Sequence, residues 1–176
     1  MFSKKLENQL NQQVVLESAA SALYLSIASW CEKKRLIGAA SFYYAQSDEE
    51  RAHMLKVFKY INEMGGHAVV AEVGKVDVEF KDIKSVVERS LASEKKVTAS
   101  VHQLCELARE EKDFGTLNFL QFYVDEQREE EVLFGNILDR IELIGLEGQG
   151  LYYIDKELET LAQKKIKAEA RVKAGT

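Results

Sequence analysis

The feature that most constrains the fold is a stretch of sequence that recurs at a distance of 77 residues. Residues 48–53 read DEERAH and residues 125–130 read DEQREE, so Asp, Glu and Arg return at matching places. Glu17 and Glu94 are separated by the same 77 residues. Two separate matches with one common offset predict a duplicated helix pair whose carboxylates converge on one place.

Apolar residues at alternating steps of three and four predict long helices around these stretches. The chain has no proline, which removes the strongest helix breaker. We expect Gly38 to mark the first turn and a short fifth amphipathic helix to begin near Leu151. The four long helices are predicted over residues 5–34, 39–64, 82–111 and 115–144.

The segment 67–81 is rich in valine, but no partner strand is predicted elsewhere in the chain. Fifteen extended residues span up to ~50 Å, whereas a helix of 26 residues is ~39 Å long. The segment can therefore cross the full length of a bundle. The sequence predicts an all-α fold, a four-helix bundle with one long crossover connection and a short fifth helix.

Each long helix carries polar residues near the middle of its apolar seam. Two antiparallel hairpins bring these midpoints to one level, so the side chains should meet. We expect Glu17, Glu50 and His53 to hold one cation, because a Glu and a His three residues apart share a helix face. Glu94 and Glu130 would hold a second, with Glu50 bridging. The full seam set is Glu17, Glu50, His53, Glu94, Gln127 and Glu130.

A purely structural polar core is the simpler alternative for this seam. Such a core needs a lysine or arginine against each buried carboxylate. No seam position offers one, and the 77-residue symmetry has no packing purpose that we can name. The sequence therefore favours a metal site over a structural helical bundle.

Together with Tyr24, one heptad beyond Glu17, the seam set resembles the ferroxidase centre of ferritins. The resemblance covers roughly residues 1–163 and is strongest to the bacterial non-haem type. It implies an enzyme that binds two irons without haem and oxidises Fe(II) with dioxygen or hydrogen peroxide. It further implies self-association into a hollow shell of twenty-four subunits that stores the ferric mineral.

The same resemblance extends to the surroundings of the two irons. It implies a third iron position at Glu49, Glu126 and Glu129, with Glu130 shared. Tyr24 is implied as an electron donor or as a hydrogen-bond donor to a ligand. Simple seam packing for Tyr24, and solvated surface positions for the third-site acids, are the alternatives from residue type alone.

Departures from related families narrow the interpretation. A bacterioferritin usually has a second Glu-x-x-His pair where this chain has Gln127 and Glu130. A neutral amide there should weaken retention of the second iron, as suits a centre that passes iron on.

A rubrerythrin-like di-iron oxidase or peroxidase, active as a small oligomer, is the rival function. Such proteins add a cysteine-rich iron domain, and this chain has only two cysteines.

Charge is unevenly distributed along the 176 residues. The net charge is −5, but residues 164–176 carry +4, so the body carries −9. An acidic body suits cation attraction and argues against nucleic-acid binding. We expect 164–176 to be a frayed, solvated basic tail outside a domain of residues 1–163. We also expect the fifth helix to have little use for its apolar face within one subunit.

The remaining features predict a cytoplasmic protein. The amino terminus lacks the apolar core of a signal peptide, and no apolar run approaches the length of a membrane span. Cys31 and Cys105 are not spaced as the cysteines of metal-binding motifs are, and we expect both to be reduced thiols. We therefore expect neither a membrane nor a nucleic acid among the partners.

Overall fold

The structure, a computed structural model, describes residues 3–173, and this range folds into five helices without a strand. The prediction of an all-α fold with four long helices is confirmed. Helix bounds lie within two residues of those predicted for the first four helices. The helices are α1 (Lys4–Lys33), α2 (Ile37–Glu63), α3 (Ile83–Glu110), α4 (Phe114–Ile144) and α5 (Gly150–Lys173).

Short turns join the long helices into two hairpins, α1 with α2 and α3 with α4. In each turn a basic residue adopts a left-handed conformation, Arg35 with φ 64° and Lys112 with φ 56°. The prediction that Gly38 marks the first turn is wrong. Gly38 lies inside α2, and the missing Cβ admits another helix, because a Cβ there would lie 2.0 Å from the carbonyl oxygen of Asp155.

The connection between the hairpins runs along α1 and has no regular secondary structure. Near its start, the Asn11 side chain donates to the His67 carbonyl (3.1 Å) and accepts from the Val69 N–H (2.8 Å). Near its end, Lys33 Nζ lies 2.9 Å from a Glu79 carboxylate oxygen. Asn11 and Lys33 are ~33 Å apart along a helix, so the long crossover is confirmed.

A polar layer divides the interior into two apolar clusters. One cluster is built around Tyr24, Phe42 and Phe134. The other contains Leu10, Leu104 and Leu120. Along each long helix the predicted seam residues fall between the two clusters, and all are buried: Glu17, Glu50, His53, Glu94, Gln127 and Glu130. Burying so many ionisable groups is costly unless they bind something.

Helix α1 is the one helix in the described range that is long and apolar enough to span a membrane. The expectation that no apolar run approaches that length is therefore wrong on composition. Half of the apolar window is buried inside the fold, and Glu17 lies on its buried face. Helix α1 is thus a core helix of the bundle.

Helix α5 is longer than predicted and docks on α2. Ile154, Leu158 and Ala162 are each 1% exposed, so the expectation that this face has little use within one subunit is wrong. The helix passes residue 163 without a break and continues to Lys173. The predicted basic tail is therefore helical over residues 164–173, and its last three residues lie outside the described range.

Candidate metal centre

The most buried ligands come from the first two helices. Glu17 of α1 and Glu50 and His53 of α2, here called the inner group, bring ligand atoms within 4.8 Å of one another. Their exposed fractions are 0%, 1% and 5%. In the described structure Glu17 Oε2, both Glu50 carboxylate oxygens and His53 Nδ1 lack a hydrogen-bond partner. Buried polar atoms are rarely left unsatisfied, so their convergence fits a cation.

Glu94 of α3 lies in the same layer and is held by two hydrogen bonds. Gln127 Nε2 donates to Glu94 Oε2 at 2.9 Å, and the Tyr24 hydroxyl donates to Glu94 Oε1. Of the two roles predicted for Tyr24, the structure therefore contains the hydrogen bond to a candidate ligand. The electron-donor role stays a prediction.

Glu130 of α4 is held from two sides. Gln46 Nε2 donates to Glu130 Oε2 at 2.8 Å. Lys165 Nζ, from α5, lies 3.0 Å from Glu130 Oε1 and also contacts a Glu49 carboxylate oxygen. The prediction considered bases at seam positions alone, and for Glu130 helix α5 supplies a base from outside the seam.

Burial and mutual repulsion make the carboxylates difficult to ionise together. Burial raises the pKa of Glu17 and of Glu50 well above the ordinary value, and repulsion by a neighbouring carboxylate raises each further. Burial and the Glu94 charge raise the pKa of Glu130 to about 8, although the Gln46 hydrogen bond opposes the rise. Cations bound among these groups would favour their ionised forms.

Two comparisons with known proteins agree with this geometry. A family model described as a ferritin-like domain matches residues 7–144. The chain belongs to the ferritin family. The bacterial non-heme ferritin of Campylobacter jejuni is 41% identical over 162 residues, covering 92% of this chain and 97% of the relative. That of Escherichia coli O6:H1 is 36% identical over 161 residues, covering 92% and 98%.

A solved structure supports the same assignment. The open pore ferritin of the archaeon Archaeoglobus fulgidus superposes with a TM-score of 0.88 at 36% identity, covering 90% of this chain and 98% of that chain. The resemblance to ferritins of the bacterial non-haem type and the ferritin-like fold are therefore confirmed.

In this ferritin the predicted third-site acids lie beside the inner group rather than within it. Glu49, Glu126, Glu129 and Glu130, here called the outer cluster, line an open groove of about 530 Å³. Glu49 and Glu126 are half-buried and Glu129 is exposed. His53 connects the two sets, since Nδ1 lies 3.7 Å from Glu50 Oε2 and Nε2 lies 3.8 Å from Glu126 Oε2.

Sequence reasoning did not assign three residues that hold the carboxylates of this ferritin. Gln13 Nε2 donates to Glu17 Oε1 at 2.9 Å, and Gln46 and Lys165 contact Glu130. Gln13 and Gln46 occupy seam positions, where a buried amide is itself a signal. Lys165 follows Ala162 by one helical turn on the buried face of α5, which could have indicated an inward side chain.

Proposed function

We propose that this ferritin oxidises Fe(II) at the inner group and stores the ferric product as a mineral. Membership of the ferritin family supports a role in iron storage. The observation that carries the catalytic proposal is the inner group itself. Glu17, Glu50 and His53 present unpaired ligand atoms to one point in a buried layer, a demand that a divalent cation meets.

Two ferrous ions are the proposed substrate pair. Glu17, Glu50 and His53 would hold the first ion, and Glu94 and Glu130 the second, with Glu50 between them. Gln127 was predicted as a further ligand. Its amide N–H donates to Glu94, so Gln127 also orients that carboxylate. Tyr24 fixes the other Glu94 oxygen.

The proposed reaction uses two metal ions because together they supply two electrons to the oxidant, which is then reduced without release of a radical. Each ferrous ion gives one electron, and dioxygen takes both together with two protons to leave as hydrogen peroxide. When hydrogen peroxide is the oxidant, the two electrons and two protons convert it to two molecules of water. Anionic carboxylates stabilise the ferric products more than the ferrous substrates, because their attraction grows with the charge of the ion.

The outer cluster is proposed to take a third iron on its way to storage. Glu49, Glu126 and Glu129 line the groove beside Glu130, so an ion leaving the second position meets further carboxylates. Storage would take place within a shell of twenty-four copies in the cytoplasm. Family membership supports the shell, and the free thiols of Cys31 and Cys105 are consistent with a reducing compartment.

A double substitution by glutamine tests the catalytic proposal. Glu50→Gln with His53→Gln should abolish the rapid phase of ferrous oxidation under air. His102→Gln with Glu106→Gln is the matched control, since it replaces the same residue types at exposed positions of α3. A rapid phase that survives in the Glu50/His53 variant would show the assignment to be wrong.

The mass of the particle tests the storage proposal separately. Sedimentation should give a particle of twenty-four subunits, and electron microscopy after aerobic iron loading should find mineral-filled shells. A small oligomer with rapid oxidation would instead favour the rubrerythrin-like di-iron oxidase or peroxidase.

A further inference from the structure

Helix α5 is fixed to the bundle at its start by a backbone contact and a cap. The Ala39 N–H at the beginning of α2 donates to Asp155 Oδ1 at 2.8 Å. This carboxylate supplies the cap that α2 lacks, since its own N-cap residue, Leu36, makes no side-chain hydrogen bond. Gly38 lets the Asp155 carbonyl approach. The first turns of α5 are thus held tightly against α2.

The buried face of α5 leads from this anchor to the groove. Ile154, Leu158 and Ala162 follow one another at steps of four and are almost fully buried. Lys165 comes three residues later on the same face. Its side chain is 19% exposed and lines the groove together with the outer cluster. Its position is therefore set by the docking of the whole helix.

The Lys165 ammonium lies among three acceptors. It contacts a Glu49 carboxylate oxygen and Gln46 Oε1, and it lies 3.0 Å from Glu130 Oε1. An ammonium has three N–H donors, so these acceptors can satisfy all of them. A metal ion shared between Glu49 and Glu130 would compete with Lys165 for these two carboxylates and would be repelled by the ammonium. The lysine and such an ion are therefore competitors for one place.

We propose that Lys165 is a resident counter-cation of the outer cluster, which a metal ion must displace in order to bind between Glu49 and Glu130. The inference rests on the proposed function, because it concerns the iron that leaves the inner group. The inner ion at Glu17, Glu50 and His53 displaces no side chain and binds first. The outer ion binds more weakly, since it must break the ion pairs of Lys165.

This competition favours passage over retention. Without Lys165, the outer cluster would carry uncompensated negative charge beside a half-buried groove and would hold a cation more tightly. With Lys165, the ammonium returns to Glu49 and Glu130 when the ion departs. The positive charge of Lys165 therefore keeps iron from remaining at the outer cluster.

Equilibrium titration of the assembled, metal-free protein with Zn²⁺ tests the proposal without any redox step. Removing a positive charge in contact with the site through Lys165→Gln should tighten the weakest class of zinc sites about tenfold. The tightest class should not change. Lys165→Arg, which keeps the charge, should bind zinc as the unchanged protein does. Lys164→Gln is the control for net charge, because Lys164 is exposed on the same helix.

Two results would overturn the proposal. One is equal zinc binding by Lys165→Gln and Lys164→Gln. The other is tightening by Lys165→Arg as large as that by Lys165→Gln, because the charge would then not be the cause. A failure of the proposed function would give a different result. In that case Glu50→Gln with His53→Gln would leave the tightest class of zinc sites unchanged. Circular dichroism and sedimentation establish that each variant folds and assembles.

Discussion

The inner group and the outer cluster are neighbours that compensate negative charge in opposite ways. The two inner carboxylates are buried. Glu17 accepts a hydrogen bond from the neutral Gln13 amide, and both Glu50 oxygens lack a hydrogen-bond partner in the described structure. The outer carboxylates lie along an open groove, and two of them, Glu49 and Glu130, contact the Lys165 ammonium. We therefore expect the inner set to need a metal ion to balance its charge, whereas the outer set carries its own cation. His53 lies between them with one ring nitrogen toward each.

In the proposed function one bundle both binds iron and releases it, and the two kinds of charge compensation account for these two steps. A site that lacks any internal cation gains the most from a metal ion, because burial makes every unpaired charge costly. A site with an internal cation gains less, since the ion replaces an existing ion pair. We therefore expect the affinity for metal ions to decrease from the bundle interior toward the groove.

The largest expected effect is the pH dependence of stability in the metal-free protein. Glu17, Glu50, Glu94 and Glu130 all have raised pKa values in the folded state. A raised folded pKa stabilises the fold at low pH, and this contribution is lost as the pH rises from the unfolded value near 4.5 through the folded value. The pKa of about 8 for Glu130 places the loss between about pH 4.5 and pH 8.

That shift alone is worth on the order of 5 kcal/mol per subunit, so the melting temperature should fall by about 15 °C across this window. Saturating Zn²⁺ should remove most of the fall, since it favours the ionised carboxylates. Differential scanning calorimetry at several pH values measures both. A metal-free protein that becomes more stable between pH 5 and pH 8 would contradict the prediction.

Glu17→Gln should have the next largest effect, and it acts on the inner group alone. Loss of a charged ligand should weaken zinc binding at the tightest class of sites more than about 100-fold. This is a larger effect than the loss of a residue that only supports a ligand. The metal-free variant should melt at a higher temperature, because one buried carboxylate no longer repels Glu50. Glu63→Gln, at an exposed position of α2, is the control. Unchanged zinc affinity in the Glu17 variant would remove Glu17 from the site.

Gly38→Ala acts on the outer cluster from a distance. The added Cβ would lie 2.0 Å from the Asp155 carbonyl oxygen, so α5 must shift. We expect a loss of about 1–3 kcal/mol in stability, together with tighter zinc binding at the outer cluster as Lys165 moves away. Chemical denaturation and zinc titration measure the two effects.

Gly135→Ala provides the control within α4. No atom lies within 4 Å of a Cβ added there, so this variant should gain about 0.5–1 kcal/mol from helix propensity. Equal stability changes in the two glycine variants would mean that α5 does not depend on the Gly38 contact.

The sequence predicts the four long helices and the level of the carboxylates well, because apolar periodicity and the 77-residue offset are repeated patterns that can be read along the chain. The prediction from sequence fails for α5, because α5 packs against α2, which is distant in the sequence. Lysines after residue 163 have the composition of a solvated tail, and composition does not reveal that Ala162 is buried. The prediction for Gly38 is wrong for a similar reason, since Asp155, which approaches it closely, lies 117 residues away in the sequence. Patterns along the sequence do not show the contacts between elements that are distant in the chain.

The weakest effect that we predict is on the binding of the second ion, the one assigned to Glu94 and Glu130. Tyr24→Phe removes the hydroxyl that donates to Glu94, and this hydrogen bond favours the ionised form of that carboxylate. Losing one hydrogen bond to a charged group should weaken the second zinc ion by about tenfold. The ion at Glu17, Glu50 and His53 should keep its affinity. A lower yield of rapidly oxidised iron per subunit should accompany the change.

Tyr43→Phe is the matched control, because Tyr43 is equally buried and its hydroxyl pairs with Ser90 at 3.1 Å, outside the candidate ligands. Both substitutions remove one buried hydroxyl and leave the ring in place. A difference between them therefore measures the Glu94 hydrogen bond rather than packing. If the two variants bind the second ion equally well, Tyr24 contributes to the layer only as an apolar neighbour.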